Sequence, residues 1–214
     1  MKKLWVFGDS FTFGHGCNDM CKSDTSEEYK FYKKEGDDIW SNHLGNLLNC
    51  EVVNLGKNGG SNDYILNSII ENYNNILKND YVVIGKTFPS RMDVPVNNKW
   101  ESALNYRELH DDVRLVSNDE IDDDSYISLL NFQYHFLGNP LYKKRQDSWF
   151  LFLRDRFLYD MGVNSCIIWD VTEQLRFDTI KNDTNGKIND THYSYKGHLQ
   201  FSNYIYSKIQ NRMI

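Results

Sequence analysis

The chain has 214 residues, 40% of them hydrophobic and 14% aromatic, which suits one domain with a sizeable core and excludes a disordered chain. The net charge is −6, and no basic patch runs along the sequence to follow a phosphate backbone, so nucleic acid is not the expected partner. No run approaches the roughly 18 apolar residues of a membrane span. Met1-Lys2-Lys3 carries the charge of a signal peptide, but Gly8-Asp9 cuts its apolar run short. The expected location is cytoplasmic or virion-associated.

Leu4-Trp5-Val6-Phe7 reads as a short, fully buried strand that Gly8-Asp9-Ser10 ends abruptly. Gly8 permits a tight turn there. Residues 17–38 are polar and charged, with Tyr29, Phe31 and Tyr32 among lysines, and read as a surface excursion. The cysteines are Cys17, Cys21, Cys50 and Cys166. Cys17 and Cys21 lie near His15, but no second ligand pair at zinc spacing follows, so reduced thiols and no metal or cofactor are expected. Apolar residues at 40, 44, 47 and 48 predict a helix from Asp38 to Leu48.

Glu51-Val52-Val53-Asn54-Leu55 reads as a strand, and Gly56 to Asp63 as a glycine-rich turn. Ser61 or Asn62 then caps a helix carrying Leu66, Ile69, Ile70, Tyr73, Ile76 and Leu77. Tyr81-Val82-Val83-Ile84 is a third strand, apolar throughout as in a parallel sheet covered on both faces. Gly85-Lys86-Thr87-Phe88-Pro89-Ser90-Arg91 follows it. Residues 92–124 have no clear period; they hold Trp100, Tyr106, His110 and an acidic cluster from Asp119 to Asp124. They read as a variable acidic insertion, either a solvated face or a substrate-side lid, with a strand at Val113–Val116.

Helices are expected over 127–137 and 141–161, separated by Gly138-Asn139-Pro140. Ser165-Cys166-Ile167-Ile168-Trp169 is the last strand, 178–191 a polar loop, and Ser194 onward the closing helix. Alternating strands and helices imply a parallel sheet with right-handed crossovers, in one domain spanning 1–214. In such sheets the loops after the strands build the site. Those loops carry Ser10, Gly59, Thr87 and the group Asp190-Thr191-His192.

A serine hydroxyl becomes a useful nucleophile when a base takes its proton. His192 is the candidate base and Asp190 the candidate group that orients it. The oxyanion formed on attack needs fixed donors. The N–H groups of Ser10 and Gly59 are candidates, with a polar side chain of the third loop, Thr87 or Arg91, as a further one. Each residue also has a plain reading: Gly-Asp-Ser as a turn, His192 as a surface histidine, Asp190 as a turn cap. One polar element at each of four strand ends is what sets the combination apart. Phosphate-loop, dinucleotide-binding and nucleophile-elbow motifs do not fit the glycine spacings.

Gly8-Asp9-Ser10 with Phe11-Thr12-Phe13-Gly14 resembles the first block of the SGNH or GDSL-type hydrolases, with Ser10 as nucleophile. Val53-Asn54-Leu55-Gly56-Lys57-Asn58-Gly59 resembles the second block, which implies Gly59 as an oxyanion N–H. Asp190-Thr191-His192 through His198 resembles the fifth block, which implies Asp190 and His192 as the rest of a triad. The resemblance spans residues 4–205. It implies a flavodoxin-like three-layer α/β/α fold with a parallel sheet, and metal-free hydrolysis of acyl esters, among them O-acetyl groups on carbohydrate. Two positions depart from the pattern. Thr87 stands where the third block has an oxyanion-donating asparagine, and Asp190 precedes His192 by two residues where three is commoner, a position held by Asn189. Two other readings stay open: an impaired relative that binds glycan or serves structurally, and an acyltransferase using the same triad.

Overall fold

In the computed structural model, β1 (Lys3–Gly8) lies inside the sheet, paired in parallel with β2 (Glu51–Gly56) on one side and β3 (Tyr81–Lys86) on the other. The structure describes residues 1–14, 39–89, 91–96, 99–103, 128, 131, 132, 136, 139–170, 176–180 and 191–211. β6 (Ser165–Asp170) pairs in parallel with β3, and the described residues form a four-stranded sheet of order β2-β1-β3-β6. All four strands run the same way, so their C-terminal ends share one edge.

Side chains alternate across the sheet with the period of two that a strand imposes. Leu4 and Val6 of β1 face a layer formed by α2 (Trp40–Leu48) and α5 (Tyr195–Gln210), packing with Trp40, Leu44, Phe201, Ile205 and Ile209. Trp5 and Phe7 face the opposite layer, formed by α3 (Asn62–Asn72) and α4 (Pro140–Asp155), among Ile65, Ile69 and Phe150. Both faces are covered, which is why β1 and β3 read as unbroken apolar runs. The result is a three-layer α/β/α arrangement, as the resemblance implies, built on the parallel sheet that the strand and helix pattern predicts.

Helix ends follow local chemistry. Ser61 caps α3, its Oγ accepting from Tyr64 N at 3.0 Å. Asn139 caps α4, with Pro140 in its first turn, where a missing N–H costs nothing. The helix expected through Met161 is α4 followed by a π-helical turn, Arg156–Met161, ended by Gly162 at φ +67°. Within the unassigned region, β4 (Met92–Val96) and β5 (Lys99–Ala103) form an antiparallel hairpin that periodicity did not indicate. Pro95 interrupts the first of these runs, and a proline in a short run counts against a strand in a sequence reading. The strand expected at 113–116, the acidic residues 119–124, most of the helix at 127–137, the excursion from 17 to 38 and the His15-Cys17-Cys21 group lie outside the described residues.

Candidate active site

Asp9 ends β1 and caps α1 (Ser10–Phe13), its Oδ1 accepting from Phe11 N at 3.1 Å. Gly14 closes this single turn at φ +90°, a conformation that a side chain would strain. α1 sits directly on β2. A Cβ on Gly56 would lie 2.4 Å from Phe13 N, so only glycine allows the approach. Asn54 of β2 fastens the contact, donating from Nδ2 to Thr12 O at 2.8 Å and accepting from Gly56 N at 2.9 Å. Ser10 is thereby held at the C-terminal edge of the sheet, 5% exposed.

His192 reaches the same point from the far end of the chain. Its loop is tied to residues 178–180: Ile180 N donates to His192 O at 2.9 Å, and Thr179 forms a bridge with Tyr193. Ser194 caps α5, accepting from Gly197 N at 3.1 Å and donating to Asp178 Oδ2 at 2.6 Å. His192 Nε2 lies 2.7 Å from Ser10 Oγ. The Phe11 ring packs on the imidazole, centroids 4.6 Å apart. A neutral imidazole with its proton on Nδ1 accepts the serine proton at Nε2 in this geometry. Asp190 and Asn189, the two candidates to orient it, lie outside the described residues.

Ser10 N–H is the first of the α1 helix, a position with no intrahelical acceptor. Gly59 sits in the turn after β2 at φ +71°. Among the described residues, neither N–H has an acceptor. Two donors are therefore available on the loops that flank the serine.

The third loop is arranged differently from the expectation of an oxyanion donor at Thr87. Thr87 is 3% exposed; its hydroxyl donates to Asp9 Oδ2 at 2.9 Å and accepts from Arg91 Nη1 at 2.9 Å. A threonine has one O–H, and this one is committed inward. Arg91, the alternative donor, also turns inward, with Nη1 3.3 Å from Asp9 Oδ2. Burial pushes the Asp9 carboxyl above the usual range; Arg91, the Thr87 hydroxyl, the Phe11 N–H and His192 oppose that push.

Sequence reading assigned no role to Asn62 beyond helix capping. Its side chain clamps the third loop, accepting from Thr87 N at 3.0 Å and donating to Thr87 O at 3.2 Å and to Gln146 Oε1 at 3.0 Å. Gln146 is the available signal: it stands four residues before Phe150 on the buried stripe of α4, a polar residue where apolar ones recur. A second buried group near the site is His198, whose Nδ1 accepts from Trp40 N at 3.2 Å. Burial, then His43 and His192, push its pKa down to about 3, so it is neutral.

No family model and no curated protein matches the chain. Several solved structures are similar to it. A protein assigned to the lipolytic G-D-S-L family from Desulfitobacterium hafniense DCB-2 is 13% identical, with 98% of this chain and 99% of that one covered and a TM-score of 0.39. A member of the same lipolytic family from Veillonella parvula DSM 2008 is 10% identical, covering 99% and 100%, with a TM-score of 0.40. A lipase/acylhydrolase from Enterococcus faecalis is 12% identical, covering 99% and 97%, with a TM-score of 0.39.

Proposed function

We propose that this chain is a serine esterase of the SGNH type, acting on small acyl esters through Ser10, His192 and Asp190. The observation that carries the reading is the 2.7 Å contact between Ser10 Oγ and His192 Nε2 at the C-terminal edge of a parallel sheet. Ser10 Oγ attacks the ester carbonyl carbon and passes its proton to His192 Nε2. The carbonyl oxygen becomes an oxyanion that accepts from the N–H groups of Ser10 and Gly59. Collapse expels the alcohol, which takes the proton from His192 and leaves an acyl-Ser10. Water, deprotonated by His192, then releases the acid and regenerates the serine. Asp190 orients the imidazole and stabilises its charged form. Every proton in this cycle is accounted for by these side chains and water, so activity is expected to survive excess EDTA.

O-acetyl groups on carbohydrate are the substrate class implied by the resemblance, and transfer of the acyl group to another hydroxyl would use the same first half of the cycle. One specific observation favours a catalytically impaired, glycan-binding relative instead: Thr87, at the position of the family's third oxyanion donor, spends its hydroxyl on Asp9. Labelling with a serine-directed fluorophosphonate separates the two. The expected result is one adduct by intact mass, absent in Ser10→Ala, together with turnover of 4-nitrophenyl acetate that the same variant loses. Wild-type-like turnover in Ser10→Ala would overturn the assignment of the nucleophile. An unlabelled, inert wild type would favour the binding protein.

A further inference from the structure

We propose that the ion pair of Asp9 and Arg91, keyed together by Thr87, is the positioning device for the nucleophile, so that the third loop braces Ser10 from behind and leaves the oxyanion to backbone N–H groups. The inference rests on the esterase reading above and assigns the third loop a different task within it.

The two oxygens of Asp9 divide the work. Oδ1 accepts from Phe11 N and fixes the start of the helix that carries Ser10. Oδ2 accepts from both Thr87 Oγ1 and Arg91 Nη1. Any tilt of the carboxylate that improves one set of bonds loosens the other, so the residue immediately before the nucleophile has one orientation. The loop that supplies Thr87 is itself immobilised, because Asn62 bonds both the N–H and the carbonyl of that residue and is held in turn by Gln146 of α4. A chain of buried polar contacts therefore runs from α4 through Asn62, Thr87 and Asp9 to Ser10.

The pair is dry. The Asp9 and Arg91 side chains are 2% and 9% exposed. Two charges removed from water gain little net stability, and apolar residues of similar shape often fold as well. A threonine and an arginine recruited to hold one carboxylate therefore fit a demand for orientation better than a demand for stability. An off-line serine loses the near-attack geometry with His192, and small displacements of that kind lower kcat more than KM.

The test is a double-substitution cycle of Arg91→Met, Asp9→Asn and the two combined, with Arg91→Lys as the conservative variant. The readouts are kcat and KM on 4-nitrophenyl acetate, the rate of fluorophosphonate labelling, and Tm. Arg91→Met strands a buried carboxylate and is expected to lower kcat by about 30-fold or more while KM stays within about threefold. Removing the stranded charge restores the turn, because asparagine Oδ1 still caps α1 and its Nδ2, in place of Oδ2, donates to the Thr87 hydroxyl oxygen. The combined variant is expected to regain at least about tenfold in kcat over Arg91→Met. Arg91→Lys keeps the charge and is expected to fall between Arg91→Met and wild type.

A kinetically silent Arg91→Met overturns the proposal. So does a combined variant whose Tm recovers while kcat stays at the Arg91→Met level, because the arginine then acts on the reacting atoms. If Arg91→Met does not fold, the combined variant decides alone: folded and active supports the device, folded and dead overturns it. A wild type that is neither labelled nor active overturns the esterase reading itself, a result that the cycle does not produce.

Discussion

Two aspartates stand at opposite ends of β1, both buried, and they are satisfied in opposite ways. Asp80, 3% exposed at the N-terminal edge of the sheet, accepts from Lys3 N at 2.9 Å, Trp5 Nε1 at 3.0 Å and Leu77 N at 3.0 Å. All three donors are neutral, and two belong to the strand it anchors. Asp9, 1% exposed at the C-terminal edge, is held by a guanidinium, a hydroxyl and one N–H. The N-terminal edge meets a structural need with neutral donors, two of them 77 and 75 positions away in the chain. The C-terminal edge draws on partners at similar separations, 78 and 82 positions, but adds a charged one, Arg91, to hold one side chain beside the serine. The contrast teaches that neither burial nor distant partners set the two aspartates apart; the charge of a partner does.

Substitutions can break or sharpen that contrast. The largest effect is expected from Asp190→Asn, which keeps the fold by circular dichroism and lowers kcat by up to about 10⁴-fold, as removal of an orienting carboxylate does in a triad. Damage from Asn189→Ala with a harmless Asp190→Asn would move that role one residue back. Asp80→Ala comes next and tests the other edge. It leaves three donors without their acceptor and is expected to cost about 3 kcal/mol of stability, read by urea unfolding, with kcat unchanged in the folded protein. A fall in kcat matching that of Arg91→Met would erase the distinction between the edges.

The third effect concerns a buried group near the serine that is expected to serve structure alone. Histidine in the unfolded chain has a pKa near 6.5, and His198 in the fold is pushed down to about 3. Between these values the unfolded chain takes up a proton that the fold refuses. Its contribution to stability is whole above pH 6.5 and is lost as pH falls toward 3, a few kcal/mol over the window. The difference in Tm between wild type and His198→Gln, whose amide oxygen can still accept from Trp40 N, should therefore shrink or reverse as the solution is acidified. The smallest effect is expected at Asp147, which pairs with Lys86 and Lys143 at the ends of β3 and α4. Its side chain is 35% exposed, and Asp147→Asn should change stability by less than about 1 kcal/mol, the usual worth of a solvated ion pair.

The sheet was legible because its strands are covered on both faces, so Leu4–Phe7, Tyr81–Ile84 and Ser165–Trp169 stand out as apolar runs. The serine and the histidine were legible although 182 positions separate them, since each falls in a motif at a strand or helix end. What Thr87 does was not. Its position after β3 aims it toward the site, but the direction of its hydroxyl is set by Asp9 and Arg91, whose pairing leaves no periodic trace. The hairpin at 92–103 escaped for a similar reason: its short strands pair with each other and carry no long apolar run. Asn62 looked like an ordinary helix cap, since nothing local distinguishes a capping asparagine from one that grips a neighbouring loop.

β1 precedes both of its partners in the chain, yet it lies in the interior of the sheet. Its partners begin at Glu51 and Tyr81, so its hydrogen bonds stay open until synthesis has passed Ile84. Pairing over such separations is slow, and loop entropy opposes it until both neighbours arrive. The Gly-Asp-Ser turn hangs from the end of this strand, and its brace, Arg91, is translated later still. A nascent or truncated chain that stops short of β3 thus carries the motif with neither Thr87 nor Arg91 to hold Asp9. Once the sheet has closed, the amides of Trp5 to Phe7 belong to the last unit to open, so exchange of their hydrogens with solvent reports global unfolding. Loss of activity on heating should follow that event rather than a local loosening of the site.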